Sequence, residues 1–280
     1  MSEDSNLRTL LGASALSSSE AKILMAYVLE KHYQLPRSAV LSRDDMLLNA
    51  KAMTDWKVLE TRRLHGEPIA YLVGKRGFHN IELYVAPGVL IPRPETELLV
   101  EIGLREIKRL NTPTKILDLG TGSGAIALAI AHETPNVQIS ATDQSIEALA
   151  IAQKNAEMLN MTSRVQFFQG SWYEALDRRI SFDIILSNPP YIAAQDLHLS
   201  QGDLRFEPSS ALTDHGSGLT CLEKIISGAQ AHLNPDGLLA VEHGFDQSEA
   251  VIALMKLAGF SDIQTHRDLG GHYRVASGRK

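Results

Sequence analysis

From Lys115 onward, short apolar runs of strand length alternate with stretches of helical periodicity. Residues 116–119, 137–142, 165–169, 182–187 and 238–242 read as strands, and amphipathic segments fill the gaps between them. Such alternation leaves few solutions. Each strand must be followed by a crossover helix, which gives a parallel sheet with helices on both faces. Residues 263–267 and 273–277 flank Gly270-Gly271 and read as a closing hairpin-like pair. The expectation is an α/β fold whose sheet is mostly parallel, with an antiparallel strand at its end.

The first 75 residues have a different texture. Ser17 with Glu20 forms a capping-box pattern, and Ala21, Leu24, Tyr27 and Val28 follow at helical spacing. Ser42 to Asp45 predicts a short helix carrying Met46, Leu47 and Leu48. Thr54-Asp55 predicts a third, with Trp56, Leu59 and Leu64, ending near Gly66 and Pro68. A small helical bundle is expected. Residues 81–85 alternate like a half-buried strand, Ala86-Pro87-Gly88 is a turn, and 89–91 are expected to pair back. Pro94 suits the first turn of a helix bearing Leu98, Leu99, Ile102 and Ile107. The expected organisation is therefore a helical domain over 1–75, a β-hairpin linker over 76–92 and the α/β domain over 93–280.

Composition narrows the class. Apolar residues make up 44 % of the 280, enough for a full core, yet no apolar stretch is long enough to span a membrane. The start, Met1 to Ser5, is acidic and polar with no secretory pattern, so a cytoplasmic protein is expected. Cys221 is the single cysteine and reads as a buried small hydrophobe. The ten histidines include no H-E-x-x-H, and His243, His266 and His272 lack ligand spacing, so no metal site is expected. His132-Glu133 reads as a helix end. With 33 acids against 27 bases the net charge is −6, and no Lys/Arg run exceeds a pair, which argues against a nucleic-acid partner.

Two motifs carry chemistry. Asp118-Leu119-Gly120-Thr121-Gly122-Ser123-Gly124 lies between a strand and a helix rich in small residues. Glycines allow a tight turn and close ligand approach, and the helix N-terminus offers free N–H groups. Asp143 ends the next strand, about 20 residues on, where a carboxylate accepts from ribose hydroxyls. This pair predicts an adenosine-type cofactor and does not choose between NAD(H) and S-adenosyl-L-methionine.

The second motif, Asn188-Pro189-Pro190-Tyr191, directly follows a buried strand. The prolines stop the ladder and stiffen the turn. Asn188 is thereby held rigidly at the carboxyl end of a strand, where open α/β sheets bind ligands. Its amide oxygen and the Pro189 carbonyl suit a planar amino group, whether a protein amide or the exocyclic amine of a base. Methyl transfer to such a nitrogen uses this turn and hydride transfer does not, which favours S-adenosyl-L-methionine.

These residues resemble the HemK/PrmC family, the protein N5-glutamine methyltransferases that modify peptide chain release factors. The match spans nearly the whole chain. It includes Arg62-Arg63, Gly66 to Ala70, Ile91 to Glu97, Asp118 to Gly124, Ser187 to Tyr191 and Gln201 to Pro208. The resemblance implies a Rossmann-like class I methyltransferase domain and an N-terminal domain for substrate recognition. It implies that Gly120, Thr121, Gly122, Ser123, Gly124, Asp143, Trp172 and Asn188 hold S-adenosyl-L-methionine, with Trp172 near the adenine. It further implies that Asn188, Pro189, Pro190 and Tyr191 hold the target glutamine, Tyr191 packing on the amide. Asn188 and Pro189 carry the catalytic role. Ser171 departs from the acid that relatives often place before the aromatic, and Ser123 replaces a threonine. Arg93 and Glu97 read equally as site borders and as a helix-start ion pair. The expected partner is a release factor, with no direct nucleic acid, no membrane and a monomeric state. An adenine-N6 nucleic-acid methyltransferase and a non-catalytic binding protein are the competing readings.

Overall fold

The computed structural model describes residues 6–177 and 179–280. They divide into two compact units, one ending at Gly74 and one starting at Lys75.

The first unit is helical: α1 (Leu7–Ala13), α2 (Ser18–Tyr33), α3 (Ala39–Ser42), α4 (Ala50–Leu64) and α5 (Ile69–Val73). The capping box at Ser17 and Glu20 forms as the sequence predicts. Leu24, Met25, Val28 and Leu29 of α2 bury against Leu7, Leu10, Trp56 and Leu59. The helix expected to open at Ser42 is absent. The Asp44 and Met46 carbonyls instead accept the N–H groups of Arg8 and Leu7, so the open end of α1 holds this segment out of helical form. α4 begins earlier than Thr54-Asp55 suggests. Asn49 caps it by accepting from Ala52 N–H at 2.9 Å, and Thr54 turns its hydroxyl back to the Ala50 carbonyl.

The second unit contains β1 (Lys75–Phe78), β2 (Ile81–Tyr84), α6 (Glu97–Leu110), β3 (Thr114–Leu119), α7 (Ala125–Glu133), β4 (Val137–Asp143), α8 (Ile146–Met158), β5 (Val165–Gln169) and β6 (Phe182–Ser187). It continues through α9 (Ser209–Leu212), α10 (Thr220–His232), β7 (Leu233–Glu242), α11 (Ser248–Leu257), β8 (Ser261–Arg267) and β9 (Tyr273–Arg279). Seven strands form one sheet in the order β5-β4-β3-β6-β7-β9-β8. β3 to β7 are parallel, while β9 is antiparallel to both β7 and β8. The sequence-based expectation of a parallel sheet closed by an antiparallel strand holds.

The hairpin does not use the expected strands. β1 pairs with β2 in the register Lys75↔Tyr84 to Phe78↔Ile81, and residues 89–91 form no strand. Val89 and Ile91 are buried all the same, and Phe78, Ile81 and Leu83 join the core under α6 and α7. An apolar pattern reports burial, and here packing rather than pairing provides it. Cys221 is half-buried rather than buried. Among the described residues no helix is long and apolar enough to cross a membrane.

The fold matters to the site through register. Leu119 lies opposite both Thr142 and Ser187, and Ser187 lies opposite Val241. The glycine loop, Asp143, the Asn-Pro-Pro-Tyr turn and Glu242 therefore leave the sheet at one edge, beside the point where the chain returns from β5 to β6. That is the crevice in which open α/β sheets bind ligands.

Candidate active site

A cleft opens at this edge, lined by polar and apolar groups from several elements. One wall is the glycine loop, Gly120 to Ser123, with Ala125 and Ile126. A second carries Asp143, Gln144 and Ser145, and Gly170 to Trp172 form a third. Asn188 and Pro190 face them, together with residues 88–90, Pro92, Arg93 and Thr96. Gly124, Pro189 and Tyr191 do not line the cleft.

The glycine loop is shaped from below. Gly120 and Thr121 both donate to the Thr142 carbonyl, and Gly120, Gly122 and Gly124 all have φ between 55° and 84°. At Gly124 a Cβ would come within 2.9 Å of Leu128, so its place is in packing beneath the ligand surface. At Gly120 a Cβ would meet the Trp172 ring at 3.3 Å. Trp172 itself has φ +50°, a left-handed conformation uncommon for an aromatic residue. That conformation lays its ring over the loop.

Asp118 is fully buried beneath the loop and accepts from Thr121 Oγ1 at 2.6 Å and from Ala127 N–H. Burial pushes its carboxyl up to about 6, against the pull of those bonds. Asp143 accepts from Gly122 N–H and Ser145 N–H, one on each oxygen, at 2.9 Å. Burial raises its pKa, while these backbone donors act to keep it ionised. Each carboxylate oxygen retains lone-pair capacity toward the cleft.

The Asn-Pro-Pro-Tyr turn is anchored at both ends. Ser187 Oγ donates to the Leu119 carbonyl at 2.7 Å, fixing the end of β6 to β3. Asn188 Nδ2 donates to Thr96 Oγ1 at 2.8 Å. One of its two N–H groups is thereby held, which orients the amide, and the side-chain oxygen is its acceptor. Tyr191 turns behind the turn, packing on the apolar cluster of β6, β7 and α10, and its hydroxyl donates to Glu242 Oε1 at 3.0 Å. The structure thus places Tyr191 outside the cleft lining, with its hydroxyl on Glu242. Gln247 holds the same stretch through its amide, which donates to the Tyr191 carbonyl at 2.9 Å and accepts from Gly244 N–H.

Arg93 borders the cleft and pairs with Glu207, which also accepts from Ile91 N–H at 2.9 Å. The alternative pair with Glu97 does not form, because Glu97 accepts from His79 N–H. Burial raises the Glu207 carboxyl, and the Arg93 charge opposes that rise. Ser171 lies on the wall. Among the described residues no group of three or more His, Cys, Asp or Glu side chains could hold a metal ion. His243 is buried against the Gly244 carbonyl and His266 bonds Ser277.

Comparison with known proteins gives this geometry its family. Residues 8–74 match the PrmC N-terminal domain and 95–217 the methyltransferase small domain. A release factor glutamine methyltransferase from Burkholderia pseudomallei is 45 % identical over 274 residues, covering 96 % of this chain and 94 % of that protein. The chain belongs to the release factor glutamine methyltransferase family. The Salmonella typhimurium protein of the same description is 46 % identical over 93 % of this chain and 91 % of its own length. A methyltransferase structure from Pyrococcus furiosus shares the fold, with a TM-score of 0.54 and 19 % identity, over 79 % of this chain and 97 % of that one.

S-adenosyl-L-methionine is the methyl donor of this family, and the cleft fits it. The glycine loop, Asp143 at the end of β4 and Trp172 all line it, at the strand ends where such sheets bind nucleoside groups. Four residues that serve the site escaped the sequence reading. Asn155 accepts from Tyr84 N–H and donates to the Tyr84 and Ser123 carbonyls, tying the glycine loop to β2. Thr96, Glu242 and Gln247 support the turn. Glu242 left one legible sign: an acid closing the fully apolar run 238–241.

Proposed function

We propose that this chain transfers a methyl group from S-adenosyl-L-methionine to the side-chain amide nitrogen (N5) of the glutamine in the Gly-Gly-Gln motif of peptide chain release factors. The observation that carries this reading is the fixed Asn188 amide. Its nitrogen is held by Thr96, and its oxygen is left to accept, on a wall facing the glycine loop and Asp143.

S-adenosyl-L-methionine supplies an electrophilic methyl group on a sulfonium. Gly120 to Ser123, Asp143 and Trp172 would bind and orient it. An amide nitrogen is a weak nucleophile, because its lone pair is delocalised into the carbonyl. Asn188 Oδ1 accepts one N–H of the target glutamine. The carbonyl of Pro189, which stands between Asn188 and Pro190 in the chain, takes the second. Two acceptors fix the plane of the target amide and favour the positive charge that develops on its nitrogen. Pro190 and the Tyr191 buttress keep this turn rigid. No side chain has to remove a proton first, since the methylated nitrogen becomes acidic and loses one afterwards.

The N-terminal helical unit serves recognition of the release factor, and the chain acts as a monomer without nucleic acid. Methyl-labelled S-adenosyl-L-methionine offered with release factor or with DNA tests the reading. Label is expected in the release factor alone, and label in DNA alone would replace this reading with an adenine methyltransferase.

A further inference from the structure

Behind the turn lies a carboxylate that the mechanism above does not use. Glu242 ends β7, next to β6, and is 1 % exposed. Its Oε1 accepts from the Tyr191 hydroxyl, while its Oε2 has no hydrogen-bond partner among the described residues. Thr96 is also buried, and its hydroxyl bears on the same carboxyl, drawing its pKa down. Thr96 Oγ1 already accepts from Asn188 Nδ2. Its own hydrogen is therefore left to donate, and the Glu242 carboxyl is the acceptor it faces.

We propose that Glu242 is a positioning residue for methyl transfer, setting the donor direction of the chain Asn188–Thr96–Glu242 and so keeping the Asn188 oxygen, not its nitrogen, turned to the substrate. The inference rests on the reading of Asn188 as the acceptor for the target amide. An amide side chain is nearly symmetric in shape, and a flip would present N–H donors to a substrate N–H. An ionised carboxylate forbids that flip. It only accepts, so Thr96 must donate to it, and Thr96 must then accept from Asn188. The same carboxylate takes the Tyr191 hydroxyl, which burial and the Glu242 charge keep protonated. Both ends of the substrate turn thus share one anchor on the neighbouring strand.

The charged and titratable groups around Glu242 are Arg274 of β9, which favours its ionised form, Glu95 before α6, which opposes it, and Tyr191. His243 follows it on the chain. Burial is the largest influence and pushes the carboxyl up to about 7. A raised value means the ionised anchor is lost as pH falls through that range. Turnover at saturating cofactor should therefore decline on the acid side of about 7.

The test compares Thr96→Val, Thr96→Ser and Glu242→Gln with wild type. Release factor methylation is measured across pH, and the dissociation constant of S-adenosyl-L-methionine is measured by calorimetry. Thr96→Val is expected to lower kcat at least about tenfold, Thr96→Ser to restore most of it, and cofactor affinity to stay within about twofold in both. Glu242→Gln is expected to lower kcat and to lose the acid limb. Equal losses in the valine and serine variants, an acid limb unchanged in Glu242→Gln, or a defect confined to cofactor affinity would overturn the proposal. If Glu242→Gln does not fold, the Thr96 pair decides. Wild type and Asn188→Ala report on the functional reading separately. A wild-type chain that leaves release factors unmethylated sinks that reading, whereas a dead Asn188→Ala beside fully active Thr96→Val sinks only this one.

Discussion

Asn188 shows how far a single residue can be read. Its place after a buried strand and before two prolines was legible, because proline chemistry is local and the strand is a continuous apolar run. Its partner was not. Thr96 is 92 positions away and meets it only through the fold. The partner of Tyr191 was hidden for the same reason: Glu242, which takes its hydroxyl, is 51 positions away. Two predictions belong at this scale. Asn188→Ala should lower kcat by about 10²–10³ while leaving cofactor affinity within about threefold, the usual outcome when a transition-state hydrogen bond is lost. Stopped turnover assays with parallel calorimetry check it, and near-normal kcat would exclude the amide grip. Asn155→Ala should act in the opposite sense. It leaves the Ser123 and Tyr84 backbone groups unpaired under the glycine loop, so cofactor affinity should weaken about tenfold. Retained affinity would show that the loop holds its shape without that tie.

At the scale of elements, strands and helices were readable where the pattern is long and uninterrupted. Residues 182–187 were read to the residue, since a run apolar on both faces fits only a central strand. The hairpin and the start of α4 were not. Residues 89–91 are buried by packing, and α4 takes its cap from Asn49, a competition between caps that spacing alone does not resolve. Long-range ion pairs also hold elements together without leaving a sequence trace. Glu106 of α6 accepts from Arg279 of β9 and from Arg109. Burial works to raise its pKa, yet the two arginines bring it down to about 2. A carboxylate lowered from 4.5 stabilises the fold fully above that value and loses the contribution as pH falls toward 2. Glu106→Gln should cost about 2 kcal/mol at neutral pH, below the ~3 kcal/mol implied by a shift of that size, because the arginines are part-exposed. It should also flatten the stability curve between pH 4.5 and 2, as read by denaturant melts. An unchanged curve would place the acid sensitivity elsewhere.

For the whole molecule, the two texture changes in the sequence, helical to hairpin and hairpin to alternating, preceded the α/β sheet that builds the site. What composition could not supply was the meeting of residues from β3, β4, β6 and β7 at one edge. That follows from register, and register is set by pairing across the sheet. The acidic balance of −6 spoke against nucleic acid, and the site chemistry points the same way only if the target nitrogen is an amide. The account therefore stands on where the methyl group goes. The direct measurement incubates the chain with S-adenosyl-L-methionine and a release factor, then maps the product by peptide mass spectrometry. The account predicts one added methyl on the glutamine side chain of the Gly-Gly-Gln loop. A methyl on any other residue, or none on the release factor under conditions where the cofactor binds, would contradict it.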